Sequence, residues 1–200
     1  GQMRISRLFF SKIGRKSLVP ADRKEFIMKI VVLAGGISTE RDVSLVSGMG
    51  IYKALKSKGH QVMLLDVFLG YEHDDWKDVF EKNVDWAASV GAIKDQNPDI
   101  DAVKALRPDW KKNFFGPHVI EICQHADVVF MALHGENGEN GKIQACFDLN
   151  GIRYTGTDYV SSAICMNKAI SKDLFVTGGV PTPVGIRLKK GQTPDVKVPY

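Results

Sequence analysis

Lys29-Ile30-Val31-Val32-Leu33-Ala34-Gly35-Gly36 is a short run of β-branched and aliphatic residues that stops on two glycines. It reads as a buried parallel strand followed by a tight turn, because a strand covered on both faces carries no polar alternation. A helix is expected next. Ser38 or Thr39 can cap it, and Glu40 and Asp42 place negative charge in its first turn. Val43, Val46, Gly50, Ala54 and Leu55 then recur at helical spacing until Lys56 and Lys58 precede Gly59. Gln61 to Phe68 (QVMLLDVF) reads as a second strand. A β-α-β opening implies a parallel sheet with a right-handed crossover, so the expected fold class is α/β, an open parallel sheet with flanking helices.

Residues 69 to about 115 interrupt this rhythm, with Trp76, Trp86 and Trp110 among charged residues and Pro98 and Pro108 as punctuation. This stretch reads as an insertion with short helices. Beyond it, Pro117 to about His125 is expected to be helical and Asp127 to Leu133 (DVVFMAL) to be another buried strand. A glycine-rich turn, His134 to Gly141, leads into a helix from about Lys142 to Asn150. A short strand at Ile152 to Thr155, helical periodicity from Asp158 to Gly178 and a strand at Val184 to Leu188 complete the reading. Gly178, Gly179, Pro181 and Pro183 cluster where a second unit is expected to begin.

The bulk composition narrows the class of protein. At 44% hydrophobic and 25% charged residues the 200-residue chain is of ordinary globular make-up. No stretch approaches the roughly 18 uninterrupted apolar residues of a membrane span, so no membrane partner is expected. Cys123, Cys146 and Cys165 are odd in number and fall in no CxxC spacing, which points to a reducing compartment, the cytoplasm, and against a zinc site. The net charge of +4 is local: residues 1–27 hold seven basic residues against Asp22 and Glu25, leaving 20 basic against 21 acidic in the rest. A body of that balance carries no polyanion signal, and no nucleic-acid partner is expected. Met28 directly precedes the first strand, so residues 1–27 are expected to form a basic extension outside the fold.

In an open parallel sheet ligands bind beyond the carboxyl ends of the strands. The loop after Ala34 reads Gly35-Gly36-Ile37-Ser38-Thr39-Glu40-Arg41-Asp42-Val43-Ser44 and fits neither GxGxxG nor a P-loop. The loop after Leu133 reads His134-Gly135-Glu136-Asn137-Gly138-Glu139-Asn140-Gly141. Three glycines in eight residues imply positive φ or close backbone approach to a ligand. Taken singly, each has a plainer reading: a turn with a capped helix, a structural histidine, solvated loop charges.

Together, and with Tyr154-Thr155-Gly156-Thr157-Asp158-Tyr159 running on to Cys165-Met166-Asn167-Lys168, these stretches resemble in order and spacing the amino-terminal half of D-alanine-D-alanine ligases, over roughly Lys29 to Leu188. The resemblance implies a Rossmann-like pre-ATP-grasp domain over 28–178, followed at 179–200 by the opening of an ATP-grasp domain. It implies ATP-dependent ligation of two D-alanines through an acyl phosphate, for peptidoglycan. Glu40 would hold the ammonium of the first D-alanine, with Val43 packed nearby and His134 close to that substrate's carboxylate. Glu40 and His134 are the candidate catalytic and substrate-binding residues, and Lys168 is the candidate contact to ATP phosphate.

The same resemblance implies magnesium, whose ligands are expected downstream of this chain, and a homodimer. The chain is therefore expected to be an incomplete fragment, inactive alone. The alternatives are a non-catalytic amino-acid- or nucleotide-binding module, or a ligase taking D-lactate or D-serine as second substrate. Two positions depart from the family pattern, Asn140 and Asn167, where aspartate is usual. Asparagine can cap a helix about as well as aspartate but supplies no charge.

Overall fold

The computed structural model describes residues 26–93 and 96–193. Residues 1–25, most of the basic extension, lie outside the described residues, as do 194–200 at the end of the expected second unit. Three parallel strands, β1 (Lys29–Ala34), β2 (Gln61–Asp66) and β3 (Val128–Met131), form a sheet in the order β2-β1-β3. Around it lie α1 (Arg41–Ser57), α2 (Ile100–Ala105), α3 (Val119–His125), α4 (Lys142–Leu149), α5 (Tyr159–Met166) and α6 (Lys168–Thr177), with one 3-10 turn at Trp76–Asp78. Among the described residues no helix is long and apolar enough to cross a membrane.

Register runs from Lys29 opposite Gln61 to Ala34 opposite Asp66, and from Ile30 opposite Val128 to Leu33 opposite Met131. The first strand in sequence is thus the central one, paired on both edges. That is why KIVVLA shows no alternation: both of its faces are covered, and Val31, Val32, Leu33 and Ala34 are fully buried. On one face Val31, Leu33, Met63 and Leu65 pack with Ile122 of α3 and Ile143 and Phe147 of α4. On the other, Ile30, Val32, Ala34 and Leu64 pack with Tyr52 of α1 and with Ala132.

Helix α1 turns a different face to the sheet from the one expected. Its buried residues are Arg41, Ser44, Gly48 and Tyr52, whereas Gly50 and Ala54 are exposed. Close approach is the cause. A Cβ on Gly48 would stand 2.9 Å from both Ala34 Cβ and Leu64 Cδ1, so the seam admits small residues and hydrogen-bonded polar ones rather than bulky aliphatics. Nor does Ser38 or Thr39 cap the helix. Glu40 stands at the N-cap, and its side chain makes no capping bond.

Other elements differ for equally local reasons. The helix expected from Pro117 starts at Val119, because His118 sits at φ 57°. The strand at 152–155 reduces to one parallel bridge, Val129 to Tyr154, with Val129 N–H donating to the Arg153 carbonyl at 2.8 Å and Thr155 N–H to the Val129 carbonyl at 2.9 Å. Helical periodicity across 158–178 resolves into α5 and α6. Asn167 breaks it: its backbone is extended, and its side-chain oxygen accepts from the Ala169 and Ile170 amides, capping α6. Val184 to Leu188 is not a strand. Among the described residues it has no ladder partner, and Val184, Ile186 and Leu188 are exposed.

Two buried polar groups fix the carboxyl ends of the strands. The Arg41 guanidinium donates to the Gly36 carbonyl at 2.6 Å and to Asp66 at 2.5 Å, and both partners of this ion pair are mostly buried. The other Asp66 oxygen accepts from the Phe68 and Leu69 amides. Ser44 Oγ, fully buried, accepts from the Gly35 amide at 2.9 Å and donates to the Ala132 carbonyl at 2.7 Å, bridging the ends of β1 and β3.

Three substitutions followed by urea unfolding test this packing. Gly48→Val is expected to lower the unfolding free energy by about 2 kcal/mol through overpacking, whereas Gly50→Ala, with open space at its Cβ, is expected to raise it by up to about 1 kcal/mol. Equal effects at the two positions would contradict the buried seam described above. Ser44→Ala strands a buried N–H and a buried C=O and is expected to cost about 2 kcal/mol or more. A loss under about 0.5 kcal/mol, the size of an ordinary surface substitution, would mean that the hydroxyl does not bridge the strands.

Candidate active site

With β1 central and its neighbours following on opposite sides, the chain leaves the sheet in two directions at the carboxyl ends of β1 and β3. This is the topological switch point at which open α/β sheets bind ligands. The loop after β1 and the loop after β3 meet there. Ser38 Oγ donates to the His134 carbonyl at 2.8 Å and accepts from the Glu40 amide at 3.2 Å, so one hydroxyl holds both loops. The positive φ expected of the second loop is present at Gly135 (74°) and Gly141 (84°), and also at Asn137 (72°).

Glu40 projects over this junction. A Cβ on Gly135 would lie 2.8 Å from Glu40 Oε2, so the glycine leaves room for the carboxylate in the crevice. The carboxylate stands at the amino end of α1, the positive end of the helix dipole. Among the described residues it has no ion-pair partner. It lines a cavity of about 620 Å³ together with Ile37, Ser38 and Thr39 from the first loop and Gly135, Glu136 and Asn137 from the second. Lys104, Trp110, Phe114 and Met166 complete the walls.

The other sequence-derived residues are distributed around it. Val43 lies half-buried in the first turn of α1 and does not line the cavity. His134 lies next to Gly135, but its ring is directed toward Glu139, with Nδ1 4.0 Å from Oε1, and it does not line the cavity either. Lys168 opens α6 and is exposed in a separate hollow with Lys172, Asp173 and Arg187. The fold therefore brings Glu40 and the His134 loop together and sets Lys168 apart, although Met166, two residues earlier, reaches the Glu40 cavity.

Asn167 caps α6, whereas Asn140 stands one residue before Gly141, the N-cap of α4, and its Oδ1 accepts from the Lys142 amide at 3.2 Å. Burial pushes the Cys123 and Cys146 thiols up, away from the thiolate form. Among the described residues no three His, Cys, Asp or Glu side chains converge, so the donor set here does not fit a divalent cation.

Sequence reading missed the wall made by Lys104, Trp110 and Phe114, and the residue that fixes it, Arg107. All four sit in the irregular stretch 69–115, where no periodicity separates an inward-facing lysine from a solvated one.

Comparison with known proteins places this geometry. The model of the family described as D-ala D-ala ligase N-terminus matches residues 29–157. A D-alanine--D-alanine ligase of Lacticaseibacillus casei is 45% identical over 86% of this chain and 48% of its own length. One of Pediococcus pentosaceus is 46% identical over 78% of this chain and 44% of its own. The chain thus spans about half the length of the curated relatives it matches. A crystal structure of a D-alanine--D-alanine ligase from Bacillus anthracis complexed with ATP superposes with a TM-score of 0.51 at 25% identity, covering 84% of this chain and 42% of that one. With more than half of its residues inside the family match, and all of its switch-point crevice but Met166 built from residues of that match, the chain belongs to the D-ala D-ala ligase N-terminus family.

Proposed function

We propose that this chain supplies the substrate-binding half of an ATP-dependent ligase that joins two D-alanines into D-alanyl-D-alanine for peptidoglycan. The observation that carries the proposal is the Glu40 carboxylate. It stands over Gly135 at the switch-point crevice, at the amino terminus of α1, free of any ion-pair partner among the described residues. A carboxylate so placed is suited to an ammonium group, and charge-assisted hydrogen bonds of this kind are roughly twice as strong as neutral ones. Ser38 fixes the loop geometry around it, and Val43, half-buried in the first turn of α1, is proposed to pack nearby.

His134 follows β3 at the same junction and is proposed to approach the carboxylate of that first D-alanine. Lys168 is proposed to meet ATP phosphate; Lys172 beside it adds positive charge to the same hollow, where Arg187 is paired with Asp173 at 2.6 Å. The overall chemistry is phosphorylation of the first D-alanine's carboxylate by ATP, followed by attack of the second amine on the carbonyl and release of phosphate. Magnesium finds no converging ligand set among the described residues.

The same reading takes 28–178 as the substrate-binding unit and 179–200 as the start of an ATP-grasp unit. Apolar side chains left exposed on α6 and after it, among them Phe175, Val176 and Val184, support further packing there. It places the enzyme in the cytoplasm as a homodimer whose small-molecule partners are D-alanine and ATP.

A chimaera tests the proposal directly. Residues 29–188 replace the matching segment of the Lacticaseibacillus casei relative, and D-alanine-dependent ADP release is followed. Activity is expected, and Glu40→Gln in the chimaera is expected to raise the KM for D-alanine about tenfold or more, the size of a lost hydrogen bond to a charged group. A folded chimaera that releases no ADP on addition of D-alanine would overturn the assignment.

A further inference from the structure

The far wall of the Glu40 cavity comes from a segment outside all three sequence motifs. Asp99 opens it by capping α2, its side chain accepting from the Ala102 amide at 2.9 Å. Arg107 then locks it in place. Its guanidinium is buried and donates to four backbone carbonyls: Phe68 at 2.6 Å, Asn113 at 2.9 Å, and Phe114 and Phe115 at 3.0 Å. It also lies 4.9 Å from the centroid of the Phe68 ring. Trp110 and Phe114 meet the same ring edge-on at 6.2 and 6.1 Å. The wall is therefore pinned to the chain just past β2 and is no loose loop.

Lys104 projects from α2 into this cavity and, of the described residues lining it, is the only cationic one. Its ammonium lies 5.7 Å from the Trp110 ring centroid, an arrangement that orients a cation without neutralising it. Its ion partner is Asp101 at 3.3 Å, a carboxylate 93% exposed, and pairs of that kind hold weakly. The second acid lining the cavity, Glu136, faces Lys142 at 3.5 Å instead. One cavity thus offers an unpaired carboxylate and an available ammonium, the two charges that a zwitterion requires.

We propose that Lys104 binds, from the opposite wall to the His134 loop and in addition to His134, the carboxylate of the amino acid whose ammonium Glu40 holds, so that the site selects a free amino acid over an amine lacking the acid. The proposal rests on the reading of the cavity as an amino-acid site. Arg107 acts through Lys104 and Trp110, as a positioning residue that keeps the wall at a fixed distance.

The test is titration of the chain with D-alanine and with D-alaninamide, which keeps the amine and lacks the carboxylate, followed by NMR chemical shifts. Wild-type protein is compared with Lys104→Met, Lys104→Arg and Glu40→Gln, each first checked for an unchanged urea midpoint. Lys104→Met is expected to weaken D-alanine binding about tenfold and to leave D-alaninamide within about twofold, whereas Lys104→Arg restores D-alanine binding to within about threefold. Glu40→Gln is expected to weaken both ligands. If wild type and Lys104→Met bind D-alanine equally while Glu40→Gln does not, Lys104 has no such role and the amino-acid site stands. If neither ligand binds wild type, the amino-acid site and the inference fail together.

Discussion

The Arg41–Asp66 ion pair is the contact through which both walls of the crevice are set. Arg41 opens α1 and holds the Gly36 carbonyl, so the first loop, and with it Glu40, is tied to the end of β2. The second oxygen of Asp66 takes the Phe68 and Leu69 amides, which turns the chain after β2 and presents the Phe68 ring. That ring is the surface on which Arg107, Trp110 and Phe114 rest. Breaking one partner of such a pair leaves an uncompensated buried charge at a cost of about 3–5 kcal/mol. Here it would release the acidic and the basic wall together.

The two buried guanidiniums are satisfied in different ways. Arg41 has a carboxylate partner, so its charge is cancelled locally. Arg107 is bound by carbonyl dipoles and the Phe68 ring, with no carboxylate partner among the described residues, so its hydrogen bonds are met without its charge being neutralised. The wall it supports therefore carries the buried charge of Arg107 as well as the ammonium of Lys104. The Glu40 side is negative, and a low-dielectric cleft between surfaces of opposite sign favours ligands that carry both.

Much of this was legible in the sequence, and the boundary between what was and what was not is physical. The three strands announced themselves because buried parallel strands are continuous apolar runs, and KIVVLA, QVMLLD and VVFM offer no other reading. Both loops of the crevice were found because glycine density and strand ends are local signals. The buried face of α1 was not, because periodicity counts bulky residues and this seam is made of Ser44 and Gly48. Asn167 hid its break for a related reason: the residues on either side are helical, and only a side-chain oxygen bonded to two amides divides them. The strand expected at 184–188 has the right side chains and no ladder, and the need for a partner is not written in the segment itself. The wall carrying Lys104 was hidden by its irregularity, because what orders it is a set of backbone carbonyls around one arginine.

The sheet order has a bearing on how freely that wall can vary. Ile30 pairs with Val62, 32 residues away, and with Val128, 98 residues away. Loop-closure entropy grows only with the logarithm of length, so the longer excursion costs about 1 kcal/mol more than the shorter one. The segment between β2 and β3 can thus lengthen, shorten or be redecorated at little expense to the sheet. Residues that choose among ligands can change there on a background of fixed strands, while the Glu40 side, clamped within a few residues of β1, has almost no such latitude.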